Sequence, residues 1–289
     1  MKLGAFTTFT PEYTFSEACQ LIQSLGYAGV QPRIVPAESA SFDPAKPFNP
    51  WGNNKGGISE AAFFADPKGL LKPAADAGLQ ITSVASYTST ADMKRAVAMV
   101  KACGKAGIQN VRIGALPMPS EATFDVCAYL DKCRGTYKEL VQEAKKVGVR
   151  PCLELHMGNV YPSASGAMAL LKSFSPADVG VLYDPGNMIY DGWEVPRLAL
   201  NILGPYLAEV HVKNSKWVPG ATENGITRWK TEPADLENGC VNWAEVVEQL
   251  KLHAYTGWLI EEGHTAGRDS YQRLKMSYAL LKNLVQPSH

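Results

Sequence analysis

The sequence predicts a (β/α)8 barrel, and three observations support that prediction. Short apolar runs typical of strands alternate eight times with stretches of helical spacing, a pattern typical of a parallel sheet surrounded by helices. The chain has 289 residues, close to the ~250 residues common for one such barrel, so we expect one domain over residues 1–289. No Gly-x-Gly-x-x-Gly motif follows the first strand, which disfavours the rival fold, an open doubly wound sheet with a dinucleotide site.

In each half of the chain, an apolar run precedes a helical stretch, and most of these helices end near a glycine. The predicted strands span residues 3–7, 29–34, 80–86, 110–116, 150–156, 179–184, 207–214 and 258–262. The predicted helices span residues 14–25, 66–77, 92–106, 121–147 (interrupted near Gly135), 163–174, 195–203, 242–253 and 269–285.

Two long segments, residues 35–65 and 215–240, follow the second and seventh strands. Loops that follow strands lie at the catalytic face of a barrel, and long loops there usually shape or cover a site. We therefore expect both segments at the site, with a surface elaboration or subunit contact as the alternative. They contain Trp51, Trp217 and Trp229, whose aromatic rings offer flat surfaces for a ligand.

Composition excludes several classes of function. The chain has 28 basic and 28 acidic residues, so no basic excess favours nucleic acid or an anionic membrane. No apolar run approaches the ~20 residues of a membrane span, and the N-terminus lacks the pattern of a signal peptide. The six cysteines are scattered without a Cys-x-x-Cys pair, which favours reduced thiols and a cytoplasmic location.

A carboxylate in the fifth strand indicates a metal site. Glu154 lies in an apolar run and shares a strand face with His156, because residues two apart in a strand point the same way. Burying an unpaired carboxylate costs several kcal/mol, so Glu154 needs a partner. The ends of the next three strands offer Asp184, His211 and Glu262.

Alternation in the eighth strand places Glu262 inward and Glu261 toward the helices. Three carboxylates and one imidazole favour Mn²⁺ or Mg²⁺, with Co²⁺ or Zn²⁺ as alternatives. Each residue also has a purely structural explanation. Asp184 could organise a turn, His211 could be a core histidine, and Glu154 could pair with Arg112 or Arg150.

The motifs resemble those of the xylose isomerase-like TIM-barrel group, which includes ketose 3-epimerases, hydroxypyruvate isomerase, inosose dehydratase and endonuclease IV. The matching motifs are Leu-Glu-x-His at 153–156, Tyr-Asp-Pro-Gly-Asn at 183–187, Val-His-Val-Lys-Asn at 210–214 and Gly-x-x-x-x-Glu at 257–262, together with the opening at 17–31. The resemblance implies that Glu154, Asp184, His211 and Glu262 bind one divalent ion, most readily Mn²⁺. It also implies that Glu154 and Glu262 are the catalytic acid/base pair. Endonuclease activity is not expected, because the additional histidines of that site are absent.

The resemblance implies a metal-dependent keto-sugar isomerase or epimerase that acts through an enediolate. The same ligands would serve a lyase, such as an inosose dehydratase or an enzyme of 3-keto-glycoside β-elimination. A non-catalytic barrel subunit with a structural metal is a second alternative. We expect a small carbohydrate substrate and, by analogy, a homo-oligomer. His156, Lys213 and Arg33 are predicted substrate contacts. Asn187 joins them, although it stands where the group often has histidine.

Overall fold

The protein folds as a (β/α)8 barrel, as predicted. The computed structural model describes residues 1–263 and 268–286. The strands are β1 Lys2–Phe6, β2 Gly29–Gln31, β3 Arg33–Val35, β4 Ile58–Ser59, β5 Gln80–Ile81, β6 Val84–Ser89, β7 Asn110–Gly114, β8 Arg150–Glu154, β9 Gly180–Tyr183, β10 Leu207–Val212, β11 Asn214–Glu223, β12 Ile226–Ala234 and β13 Trp258–Glu261.

Helices cover the outside of the barrel. They are α1 Phe15–Ser24, α2 Glu60–Ala65, α3 Pro67–Asp76, α4 Met93–Ala106, α5 Val126–Lys145, α6 Ala164–Leu171, α7 Pro185–Asp191, α8 Pro196–Leu203, α9 Trp243–Leu252 and α10 Ser270–Val285. None of these described helices combines the length and apolar composition that crossing a membrane requires.

The barrel closes through two strands that each change partner halfway. β2 pairs with β1, while β3 pairs with β6 on the other side. Between them lies Pro32, which has no N–H to donate, and the next N–H, that of Arg33, bonds to the Thr7 hydroxyl at 3.2 Å. The third barrel strand is likewise divided in two. Its first part, β5, pairs with β2, and its second part, β6, pairs with β3. The parallel sheet that the described residues form is therefore continuous around the barrel.

Most predicted element boundaries agree with the structure within a few residues, because caps fix the helix ends. The Asp92 side chain accepts the Arg95 N–H at the start of α4, and Gly107 ends α4 with a φ of 76°. The predicted interruption near Gly135 is wrong, since α5 runs unbroken from Val126 to Lys145. A glycine costs only about 1 kcal/mol inside a helix, and packing of the buried face outweighs that cost.

Several elements were not predicted. Residues 60–65 form α2, and residues 185–191 form α7 directly after the sixth barrel strand. Within the long segment after the seventh barrel strand, β11 and β12 pair as an antiparallel hairpin. Asn224 and Gly225 at its turn have φ values of 53° and 78°, the conformation that tight hairpin turns require.

The loop between β3 and β4 is held against the end of the barrel by hydrogen bonds. The Asn54 side chain donates to the carbonyl oxygens of Thr8 at 2.8 Å and Pro50 at 3.0 Å. The Lys55 N–H donates to the Pro11 carbonyl oxygen at 2.9 Å. Trp51 therefore has a fixed position above the strand ends, where loops after strands form the functional face.

Candidate metal centre

Four neighbouring strands each deliver one polar side chain to the same point. Glu154 is the last residue of β8, and His211 lies within β10. Asp184 follows β9 and caps α7, because its Oδ1 accepts the Asn187 N–H at 2.9 Å. Glu262 follows β13, and its N–H donates to the Val212 carbonyl oxygen at 2.9 Å. All four are buried.

Ligand atoms of these four residues lie within 4.8 Å of one another. The His211 Nδ1 atom lies 3.0 Å from Glu154 Oε1, 2.7 Å from Glu262 Oε2 and 3.9 Å from Asp184 Oδ2. Ligands of a single ion with bonds of roughly 2.0–2.4 Å have separations in this range. Nδ1 is thus the imidazole nitrogen that faces the carboxylates.

Three buried carboxylate oxygens of the described residues accept no hydrogen bond. Two of them, Asp184 Oδ2 and Glu262 Oε2, belong to candidate ligands, and the third is Glu209 Oε2. Each of the two ligand oxygens lies within ion-pair distance of a basic group, Asp184 Oδ2 at 2.8 Å from Lys213 Nζ and Glu262 Oε2 at 2.7 Å from His211 Nδ1. Buried carboxylate oxygens usually accept more than one contact, so both have capacity for a further partner. A divalent cation fits the donor set of three carboxylates and one imidazole.

Three cationic groups face the three carboxylates. Arg112 Nη1 lies 2.6 Å from Glu154 Oε2, and Lys213 Nζ lies 3.4 Å from Glu262 Oε1. Burial alone would lower the pKa of His211, but Glu262, Glu154 and Glu209 outweigh it and hold this pKa well above its usual value. The three candidate carboxylate ligands are therefore each faced by a basic group, and Glu209 is a fourth buried carboxylate behind His211.

The carboxylates differ in how strongly their charge is stabilised. Burial opposes ionisation of Glu154, but Arg112 and His211 bring its pKa well below the usual range. Lys213 and His211 similarly lower the pKa of Glu262 against the effect of burial. Burial raises the pKa of Asp184 to about 6, despite the nearby Lys213. At neutral pH all three are mainly ionised, as metal ligands must be.

A polar chain supports His211 from inside the barrel. Gln31 Nε2 donates to Glu209 Oε1 at 2.6 Å, and the Ser83 hydroxyl donates to the same oxygen at 3.2 Å. Gln31 Nε2 also lies 3.2 Å from His211 Nε2. These contacts orient the imidazole so that Nδ1 points at the carboxylates, the usual role of groups behind a histidine ligand.

Glu261 and Glu262 point to opposite sides of the barrel wall. Glu261 is fully buried and faces Arg273 of α10, whose Nη1 lies 3.2 Å from Glu261 Oε1. The Gly263 N–H and the Ser277 hydroxyl donate to the same carboxylate oxygen. Glu262 faces the other three candidate ligands. The structure thus places the two glutamates on the sides that strand alternation predicts.

A cavity of about 530 Å³ opens beside the cluster. Its polar lining consists of Glu154, Glu262, Arg112, His156, Asn159 and Ser86. Its apolar and aromatic lining includes Trp51, Tyr87, Pro117, Met157 and Tyr161. The size lies within the range of small-molecule sites.

The predicted substrate contacts fall into two groups. His156 lines the cavity, and Lys213 lies at the carboxylates. Asn187 is fully buried and donates to the Leu155 carbonyl oxygen at 3.1 Å. Arg33 is only 1% exposed and does not line the cavity; its Nη2 donates to the Trp51 carbonyl oxygen at 3.0 Å. The structure therefore does not bring Asn187 and Arg33 to the cavity surface.

Sequence reasoning considered Arg112 only as a structural partner of Glu154, and it missed Tyr87. The Arg112 guanidinium lies 4.7 Å from the centre of the Tyr87 ring, and both residues line the cavity. A usable signal existed for Arg112, because it lies on β7 beside the strand that carries Glu154. Of the three tryptophans considered, Trp51 lines this cavity, whereas Trp217 and Trp229 lie on the β11–β12 hairpin.

Several solved structures share this fold at low sequence identity. D-psicose 3-epimerase from Clostridium cellulolyticum H10 superposes with a TM-score of 0.71 and 15% identity, covering 99% of this chain and 100% of the epimerase. The 3-keto-D-glucoside 4-epimerase from E. coli has a TM-score of 0.69 and 16% identity, covering 98% of this chain and 99% of the other. A xylose isomerase-like TIM barrel protein from Mycobacterium smegmatis, in complex with magnesium, has a TM-score of 0.64 and 16% identity. The superposition covers 99% of this chain and 98% of that protein.

Sequence comparison identifies one curated relative and a family. Inosose dehydratase from Halalkalibacterium halodurans is 26% identical over 166 residues, which is 54% of this chain and 52% of the relative. The match thus spans about half the length of that enzyme. The family model described as xylose isomerase-like TIM barrel matches residues 19–284. The protein belongs to the xylose isomerase-like TIM barrel family.

Proposed function

We propose that the protein is a divalent-metal-dependent isomerase or epimerase of a keto sugar. The observation that carries the proposal is the convergence of Glu154, Asp184, His211 and Glu262 beside a cavity of about 530 Å³. The epimerases among the structural neighbours and the dehydratase relative support an enzyme that acts next to a carbonyl group.

The proposed reaction removes a proton from the carbon next to the substrate carbonyl. A divalent ion held by the four ligands supplies Lewis-acid polarisation of that carbonyl, which makes the neighbouring C–H more acidic. Mn²⁺ is our first choice, because the donor set is rich in oxygen and has no thiolate. Mg²⁺ suits the same donor set.

Glu154 and Glu262 are the proposed proton-transfer pair. Both line the cavity, so a substrate lying between them would present one face to each carboxylate. Return of the proton to the opposite face of the same carbon gives epimerisation, whereas return to the neighbouring carbon gives aldose–ketose isomerisation. Arg112, which lines the cavity, would donate a hydrogen bond to the substrate oxygen that gains negative charge.

The charge of the loaded site favours an anionic intermediate. Three carboxylates are opposed by Arg112, Lys213 and a divalent ion, with His211 neutral when Nδ1 is a ligand. With the buried Glu209 carboxylate behind His211 included, the sum is zero. The positive charges of Arg112 and the ion would still lie on the cavity side, where they would stabilise the negative charge that develops when the C–H bond breaks.

A lyase is the second candidate, because inosose dehydratase is the curated relative. The same proton abstraction would then be followed by loss of an oxygen substituent from the β-carbon. Product analysis separates the two reactions. An epimerase or isomerase conserves the mass of its substrate, whereas a dehydratase product is lighter by one water.

The test is metal-dependent exchange of substrate hydrogen with solvent deuterium. Protein stripped with chelator would be incubated in D₂O with ketohexoses, inososes and 3-keto-glucosides, with and without added Mn²⁺. We expect deuterium next to the carbonyl only with metal, and its loss in Glu154→Gln and Glu262→Gln. Glu248→Gln, on the exposed side of α9, is the matched control. Absence of exchange with every substrate and metal would refute the proposal and favour a structural metal.

A further inference from the structure

We propose that the cavity takes a glycoside whose second ring or aglycone packs against Trp51 and Tyr87. The carbonyl-bearing ring would lie at Glu154 and Glu262. This inference rests on the proposed function and specifies its substrate class.

The size of the cavity is the first argument. A hexose unit occupies roughly 180 Å³ at the packing density of a protein interior, whereas the cavity has about 530 Å³. A free ketohexose at the four candidate ligands would leave most of that space to water. Sites that bind small molecules usually bury most of the ligand surface and exclude water. The volume therefore fits two linked rings better than one.

The distribution of polarity is the second argument. The charged groups Glu154, Glu262 and Arg112 are almost fully buried, and one carbonyl-bearing ring would use them. Trp51 and Tyr87, which line the same cavity, are 51% and 36% exposed. Aromatic side chains offer a large apolar surface with low conformational freedom, which suits the apolar face of a sugar ring or an aryl aglycone.

The third argument is that Trp51 is held in place although it is exposed. The backbone N–H of Trp51 donates to Asn49 Oδ1 at 2.8 Å, and its carbonyl oxygen accepts a hydrogen bond from Arg33 Nη2 at 3.0 Å. Its ring meets the Phe9 ring edge-on, with centroids 5.3 Å apart and an interplanar angle of 87°. An exposed ring held at these points is preorganised for binding, which reduces the entropy cost of contact with a ligand.

Arg33 also braces the second aromatic residue of this lining. Its guanidinium lies 5.5 Å from the centre of the Tyr87 ring, and that of Arg112 lies 4.7 Å from it. Arg33 has no carboxylate within ion-pair distance among the residues described by the structure. A buried arginine without an acidic partner is costly. Its contacts with the Trp51 carbonyl and the Tyr87 ring partly offset that cost, and they hold these two aromatic residues in position.

The experiment compares two substrates that share the reacting ring, methyl 3-keto-D-glucopyranoside and 3-ketocellobiose. Deuterium exchange by the Mn²⁺-loaded protein gives kcat/KM for each. We expect the disaccharide value to be about tenfold higher, and Trp51→Ala to remove that advantage while changing the methyl glycoside value less than threefold. Trp229→Ala is the control, because this tryptophan is 60% exposed but does not line the cavity.

Three results would overturn the inference. Equal kcat/KM values for the two substrates would refute it and leave the proposed function intact. A Trp51→Ala variant that loses the same factor on both substrates would show a role in folding or metal binding, and its metal-dependent thermal stabilisation would tell which. No exchange with either substrate, or with the wider panel, would refute the proposed function and this inference together.

Discussion

Replacing Glu261 and Glu262 with glutamine, one at a time, separates folding stability from metal binding at adjacent positions. Glu261 is fully buried, with Arg273 Nη1 at 3.2 Å from one carboxylate oxygen and 3.3 Å from the other. Removing one partner of a buried ion pair costs about 3–5 kcal/mol. Glutamine keeps the size of the side chain, and its oxygen can keep the hydrogen bonds from Gly263 and Ser277, so we expect the lower end, about 3 kcal/mol.

That free energy converts into a measurable shift of the melting temperature. The unfolding entropy is about 2.1 cal/mol/K per residue, and the chain has 289 residues. A loss of about 3 kcal/mol therefore lowers Tm by roughly 5 °C in Glu261→Gln. Glu262→Gln removes one of three like charges as well as contacts with Lys213 and His211. Because these effects oppose each other, we expect the Tm of its metal-free form within about 2 °C of the wild type.

Metal addition should nearly close the gap in Tm between the two variants. An ion at one hundred times its Kd stabilises a folded protein by about 2.7 kcal/mol, which corresponds to a rise of roughly 4 °C for this chain. Wild type and Glu261→Gln should show that rise with Mn²⁺, whereas Glu262→Gln should not. Differential scanning calorimetry of chelator-treated protein, with and without Mn²⁺, measures both effects. If Glu261→Gln loses the metal response and Glu262→Gln keeps it, the assignment of facing sides in β13 is wrong.

Three further predictions test the rest of the structure. In the native protein, a thiol reagent should modify Cys127 and Cys240, which are exposed, and leave the four buried thiols intact until denaturant is added; mass spectrometry counts the labels. Arg33→Met should make residues 36–57 more susceptible to limited proteolysis while leaving the metal-induced Tm rise unchanged, because Arg33 holds the Trp51 carbonyl and contacts no candidate ligand. Asp92→Ala should lower the free energy of unfolding by about 1 kcal/mol, the usual cost of losing an N-cap. Asp92→Asn should retain most of that free energy, because asparagine is also a good N-cap; urea unfolding measures both.

The barrel could be predicted because the sequence signals for its strands and helices lie in residues close together in the chain. Apolar runs, helix caps and glycine ends depend on neighbouring residues, so element order and most boundaries followed from spacing alone. The α7 helix was not predicted, because Tyr-Asp-Pro-Gly-Asn also fits a turn. Only the structure shows Asp184 capping a helix through the Asn187 N–H. The unbroken α5 likewise depends on packing that a single glycine does not reveal.

The site was predictable only in part, for a related reason. Four side chains at consecutive strand ends must converge once the sheet closes, so their proximity follows from counting strands. The positions of Trp51 and Tyr87 beside the cavity do not follow from counting strands. Trp51 reaches the cavity because the β3–β4 loop is fixed by contacts with distant residues such as Phe9 and Arg33. Long-range contacts of this kind leave no periodic signal in the sequence.

The pairing of carboxylates with basic side chains has a consequence for the order of folding and metal binding under the proposed function. Arg112, Lys213 and His211 lie within ion-pair distance of the three candidate carboxylate ligands. Proteins whose ligands are uncompensated depend on the metal to fold. We therefore expect this chain to fold before an ion binds, so that metal loading would be a late and exchangeable step. Since affinity alone does not select among similar divalent ions in cells, the metal found in the protein should follow the supply in the growth medium.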